Sequence, residues 1–105
     1  MIYVVHCLDK PGHVAIRMEF IDEHRAYLAT KPIEILSSGP LLSEDGREMI
    51  GSLFIVDAAN RAEVEAFNAG DPFAKAELWQ VVNVQRYGVR SGALSDHESA
   101  LAAAT

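Results

Sequence analysis

The sequence predicts a single α+β domain in which a four-stranded antiparallel sheet, built in the order β-α-β-β-α-β, carries two helices on one face. Three observations lead there. The apolar residues form a run rich in β-branched and aromatic side chains at the N-terminus, follow a helix's period from His13 to about Thr30, and form strand-like runs again after Ile33. Clusters of turn formers separate these stretches, as at Asp9-Lys10-Pro11-Gly12 and Asp45-Gly46. The 105 residues, 50% hydrophobic and 23% charged, suit one globular domain and leave no room for a second core.

Each element has a local cause. Met1 to Leu8 is rich in β-branched and aromatic residues and forms the first strand. In the first helix Val14, Met18, Ile21, Arg25 and Leu28 share one stripe, and Arg17, Phe20, His24 and Tyr27 share the next, which together make a wide, mostly apolar face. Lys31-Pro32 ends this helix, because proline disfavours the α conformation of the residue before it. A second strand runs from Ile33 to about Ser38, before Gly39-Pro40. The turn at Ser43 to Arg47 then leads into a third strand, Met49 to Val56, so that strands two and three form a hairpin. Asn60 followed by Glu63 matches the reciprocal capping pattern of a helix start, with Val64 and Phe67 turned inward and Gly70 at the end. Asp71-Pro72 opens a short second turn as N-cap and first helical residue. Leu78 to Arg86 is the last strand. After Tyr87 the composition shifts to Gly, Ser and Ala, which predicts a loosely held tail with helical character over Glu98 to Ala103.

This order is the split βαβ arrangement called ferredoxin-like. A sheet with helices on one side should be polar on the other, yet Ile2, Val4 and Leu8 alternate with Tyr3, Val5 and Cys7, and Leu53 and Ile55 oppose Ile50, Phe54 and Val56. Both faces are apolar. The simplest cover for the second is the same sheet of another copy, and a face-to-face homodimer is expected.

Composition narrows the function. Nine Lys and Arg against fifteen Asp and Glu give a net charge of −6, which repels a phosphate backbone and argues against nucleic acid. No apolar run approaches the roughly 18 residues that would cross a bilayer, and the chain enters a strand without a basic leader, so no membrane partner is expected. A single cysteine, Cys7, cannot form an intramolecular disulfide, which suits a reducing, cytoplasmic setting. His6, His13, His24 and His97 lack metal-ligand spacing, and no phosphate loop or dinucleotide fingerprint is present, so neither metal nor cofactor is expected, although His6 and His24 can converge in space.

Asp9-Lys10, Arg17 with His24, Tyr27-Leu28, Gly39-Pro40-Leu41, Asp45-Gly46, Gly51-Ser52 and Asp71-Pro72-Phe73 stand in one order along the chain. In this the sequence resembles the YciI family, also called the YCII-related domain, over residues 1–87, with 88–105 as a tail beyond it. The resemblance implies a dimeric α+β barrel and a functional His and Asp pair, whose matching positions are His24 and Asp71. It also implies a lyase-like or isomerase-like activity, since a related enzyme is a dehydrochlorinase of a chlorinated hydroxyquinol.

The residues themselves admit two readings each. His24 points toward the sheet or its rim, and is either a general base oriented by a carboxylate or a packed histidine bonded to backbone. Asp71 is a helix cap, an orienting carboxylate, or both at once. Arg17, two turns before His24 on the same face, can bind an anionic or phenolate substrate or lie solvated. The Ser52 hydroxyl enters an apolar face and needs a partner, either a ligand or a backbone carbonyl. Gly39 and Pro40 shape a pocket rim or simply end strand two. Two functions follow: a small cofactor-independent enzyme with His24 as base, Asp71 orienting it and Arg17 or Ser52 steadying an anion, or a non-catalytic dimeric module that binds a small metabolite or a partner.

Overall fold

The computed structural model describes residues 1–101. Its elements are β1 (Ile2–Asp9), α1 (Val14–Ala29), β2 (Glu34–Leu42), β3 (Met49–Asp57), α2 (Arg61–Gly70), α3 (Pro72–Lys75) and β4 (Trp79–Arg86). The strands form one sheet in the order β2-β3-β1-β4, and every neighbouring pair is antiparallel. This is the ferredoxin-like arrangement, with α3 as an added single turn.

The core lies between the sheet and the helices. Val5 pairs with Phe54 and Cys7 with Ser52 across β1 and β3, and all four are buried on the helical side. Val64 and Phe67 of α2 and Phe73 of α3 close over them. Local chemistry sets the ends of these helices. The Asn60 side chain accepts the Glu63 N–H at 3.0 Å, while the Glu63 carboxylate accepts the N–H of Ala59 at 3.1 Å, one residue before the cap. Asp71 caps α3 by accepting the Phe73 N–H at 2.8 Å, with Pro72 at the position that needs no donor. The β2–β3 turn closes through the Ser43 hydroxyl, which donates to Asp45, and Gly46 takes the positive φ of 73° that the turn requires.

The expectations for α1 and for the end of β2 are corrected. The inward row of α1 is Arg17, Ile21 and His24, with Leu28 half-buried, whereas Val14 and Met18 are exposed. A buried arginine and histidine are tolerated because each has a charged partner, so the face is narrower than the two stripes together and centres on the second of them. β2 does not stop at Gly39-Pro40 but continues to Leu42, with Pro40 opposite Ser52. It is an edge strand, where a residue without an N–H costs little.

The face away from the helices carries Val4, Leu8, Leu53 and Ile55, all half-buried, with Val81 exposed beside them. His6 alternates onto this face, so it does not converge with His24. The tail is held rather than loose over its described part: Val89 is buried, Leu101 N–H donates to the Val89 carbonyl at 2.8 Å, and the Ser99 hydroxyl donates to Asp57 at 2.7 Å. Of the expected helix, Glu98 and Ser99 form a turn, Ala100 a bend and Leu101 no regular element, and 102–103 lie outside the described residues. No described helix is long and apolar enough to cross a membrane.

Candidate functional site

α1 crosses above α3, and this brings His24 and Asp71 together. The His24 Nδ1 lies 2.9 and 2.8 Å from the two Asp71 carboxylate oxygens, and one of these oxygens is also the cap of α3. A carboxylate only accepts, so the network assigns the imidazole hydrogen to Nδ1. Nε2 then carries the lone pair and has no hydrogen-bond partner among the described residues. The ring stacks on Phe73, with centroids 4.1 Å apart and planes within 17° of parallel. Asp71 thus both caps and holds the ring.

A second charged group lies alongside. The Arg17 guanidinium, 2% exposed, donates to both Asp9 oxygens at 2.7 and 2.9 Å, in the forked geometry that suits arginine to a carboxylate. Its Nη2 also donates to the Ser52 hydroxyl at 2.9 Å, and its central carbon sits 4.6 Å from the Phe73 centroid. Ser52 therefore finds its partner in a side chain rather than in a backbone carbonyl. Arg17 Nη1 has no partner among the described residues.

His24, Arg17, Ser52, Gly39 and Pro40 line one cavity of about 230 Å³, completed by apolar side chains that include Ile21, Leu28 and Phe54. Gly39 and Pro40 form its wall on β2, a consequence of the strand continuing through them. Sequence reasoning missed Asp9 as the partner of Arg17, Phe73 as the floor beneath His24, and Arg25 and Met49 as lining residues. Asp9 and Phe73 stood in the motifs already noted, but as a turn former and as a neighbour of the cap.

Two other groups near the site, the buried Cys7 and the half-buried Tyr27, stay protonated. Burial pushes the Cys7 thiol up to about 12, with the charges of Asp71 and Asp9 adding to it against the Asn68 hydrogen bond and Arg17. Burial first, and then the Asp71 charge, raises the Tyr27 hydroxyl, which donates to the Phe67 carbonyl at 2.7 Å.

Glu34, Asp57 and His97 are the one group of acidic and histidine side chains, among the described residues, close enough to share a cation. Its tautomer opposes that use. His97 Nδ1 accepts the Ser99 N–H at 3.1 Å, so Nε2 carries the hydrogen and donates to Glu34 at 3.3 Å. A metal on Nε2 would drive that hydrogen onto Nδ1, against the Ser99 N–H. The N-terminal ammonium, 2.8 Å from Asp57, already supplies positive charge. The cluster is a latch for the tail.

The YCII-related domain matches residues 1–87, which contain every residue of the cavity. The chain belongs to this family. Among solved structures, 5-chloro-2-hydroxyhydroquinone dehydrochlorinase TftG from Burkholderia phenoliruptrix AC1100, in complex with 2,5-dihydroxybenzoquinone, is 32% identical and has a TM-score of 0.78. The match covers 85% of this chain and 95% of that one. A protein from Agrobacterium tumefaciens (15% identity, 89% of this chain and 98% of that one, TM-score 0.52) and an antibiotic biosynthesis monooxygenase (13%, 83% and 98%, TM-score 0.50) share the fold alone. No curated protein matches the sequence. His97 and Ser99, the tail's side of the latch, lie beyond the span that the YCII-related domain covers, whereas Glu34 and Asp57 lie within it.

Proposed function

We propose that this YCII-related protein is a small enzyme that carries out acid/base chemistry on a monocyclic aromatic molecule, with His24 as the proton acceptor. One observation carries the reading: Asp71 holds Nδ1 of His24, and His24 lines a cavity with its other ring nitrogen unpartnered among the described residues. The size fits the substrate class, since a cavity of about 150 Å³ holds benzene and this one has about 230 Å³. The likeness to a dehydrochlorinase at 32% identity supports a ring bearing hydroxyl and halogen groups. In such a reaction Nε2 takes a proton from the substrate while halide departs from the ring, a net loss of hydrogen halide that needs no cofactor. Asp71 stabilises the imidazolium, and Arg17 Nη1 with the Ser52 hydroxyl offers hydrogen bonds to the anion that develops. The apolar face of β1 and β3 pairs with that of a second copy, giving a cytoplasmic homodimer; sedimentation at micromolar concentration as a monomer would remove this part.

The test is turnover of 5-chloro-2-hydroxyhydroquinone and related hydroxylated, halogenated rings by wild type and His24→Gln, followed by chloride release. Loss of about 10²–10⁴-fold in the variant, at an unchanged melting temperature, is expected when a general base is removed. Turnover that persists in His24→Gln would exclude His24 as the base. Ring binding without turnover in the wild type would favour the binding-module reading.

A further inference from the structure

The cavity is open at one end. Arg25, Leu28 and Ser38 line it and also line a wider groove of about 680 Å³ that runs between α1 and β2 past Lys31. These three residues are the shared mouth. Arg25 belongs there by helical spacing, four residues after Ile21 and three before Leu28, both of which line the cavity. Unlike Arg17, which is committed to Asp9 and Ser52, Arg25 is exposed and has neither an ion pair nor a side-chain hydrogen bond among the described residues. Glu34, the acid of the adjoining groove, is engaged by His97 at 3.3 Å. A chain of net charge −6 repels an anion at long range, so an anion reaching His24 needs local positive charge at the point of passage.

We infer that Arg25 is the specificity-determining residue of the cavity, selecting a monocyclic ring that carries an ionised hydroxyl and holding that oxygen at the mouth. The ring lies against Ile21, Leu28 and Phe54, with its far edge toward His24. This rests on the reading that the cavity binds the substrate ring, and it adds which charge state of the ring is taken.

Binding measured by calorimetry at pH 7 separates the two ideas, because it needs no turnover. The probes are 2,5-dihydroxybenzoquinone, a vinylogous acid ionised at that pH, and hydroquinone, a neutral ring of similar size. Wild type should bind the anion more tightly. Arg25→Gln should weaken the anion about tenfold, the size of one charge-assisted hydrogen bond, and leave hydroquinone unchanged. Arg25→Lys should recover part of the loss. Arg47→Gln, which removes the same charge in the β2–β3 turn from a residue that lines neither the cavity nor its mouth, should bind both rings as wild type does. Equal melting temperatures show that the variants fold. Arg25→Gln binding both rings like wild type would overturn the role of Arg25 and leave the cavity reading standing. Equal weakening by Arg47→Gln would reduce the effect to net charge and overturn it too. Binding of neither ring by the wild type would overturn both ideas.

Discussion

Asp71→Asn separates two tasks that one side chain performs. The carboxylate accepts the Phe73 N–H at 2.8 Å and receives His24 Nδ1 at 2.8 and 2.9 Å. An asparagine keeps one oxygen for the cap and presents its NH₂ group to Nδ1. Two donors then face each other unless the imidazole hydrogen moves to Nε2, so the variant should hold the opposite tautomer. Losing the charge-assisted bond should cost about 1.5–3 kcal/mol, while the cap survives. Asp71→Ala removes the cap as well, about 1 kcal/mol more. At about 4–6 °C per kcal/mol for a domain of this size, the two variants should melt some 4–6 °C apart. The assay is the side-chain ¹⁵N–¹H spectrum of the histidines at pH 8. In wild type, His24 should report hydrogen on Nδ1 and His97 on Nε2; in Asp71→Asn, His24 alone should switch. With Nε2 no longer able to accept a proton, turnover should fall about 10²–10⁴-fold in that variant. A wild-type His24 with its hydrogen on Nε2, or one whose tautomer ignores the substitution, would refute the reasoning.

Other consequences are simpler. A Cβ at Gly51 would run into the Cys7 carbonyl oxygen and lie 2.9 Å from Leu41 Cδ1, so Gly51→Ala should cost about 3 kcal/mol in denaturant melts. Gly39→Ala, where none of the described residues would lie within 4 Å of the added Cβ, should stay within about 0.5 kcal/mol of wild type. Burial alone would raise the Asp57 carboxyl, but the N-terminal ammonium and the Ser99 hydroxyl outweigh it and hold the group below its ordinary 3.8. A depressed folded value means that this stabilisation is complete above 3.8 and lost as pH falls through the folded value. Asp57→Asn should therefore melt lower than wild type at pH 6, with the gap closing below about pH 4; a gap that stays constant to pH 2 would contradict the latch.

What was legible in the sequence was local. The β-branched and aromatic runs of β1 and β3, the Asn60 and Glu63 cap, the Asp45-Gly46 turn and the Asp71-Pro72 start of α3 are all decided within a few residues, where backbone preference and side-chain reach suffice. The apolar character of both sheet faces was legible for the same reason. The resemblance named His24 and Asp71 as partners, but their contact depends on how α1 crosses α3, which no spacing in the chain encodes. The sequence placed both stripes of α1 on one wide face and did not show that the one with Arg17 and His24 is buried while Val14 and Met18 of the other are exposed. Arg17 reads as surface until Asp9, Ser52 and Phe73 surround it, and a one-dimensional pattern records no partners. The edge position of β2 allowed the strand to pass through Gly39 and Pro40 and form the cavity wall, and the tail that reads as loose is held by Asp57 and Glu34 from distant strands. Sequence alone determined which elements form. The tertiary structure decided which polar side chains are buried and paired, because desolvating a charge is tolerated only where another part of the chain supplies its counterpart.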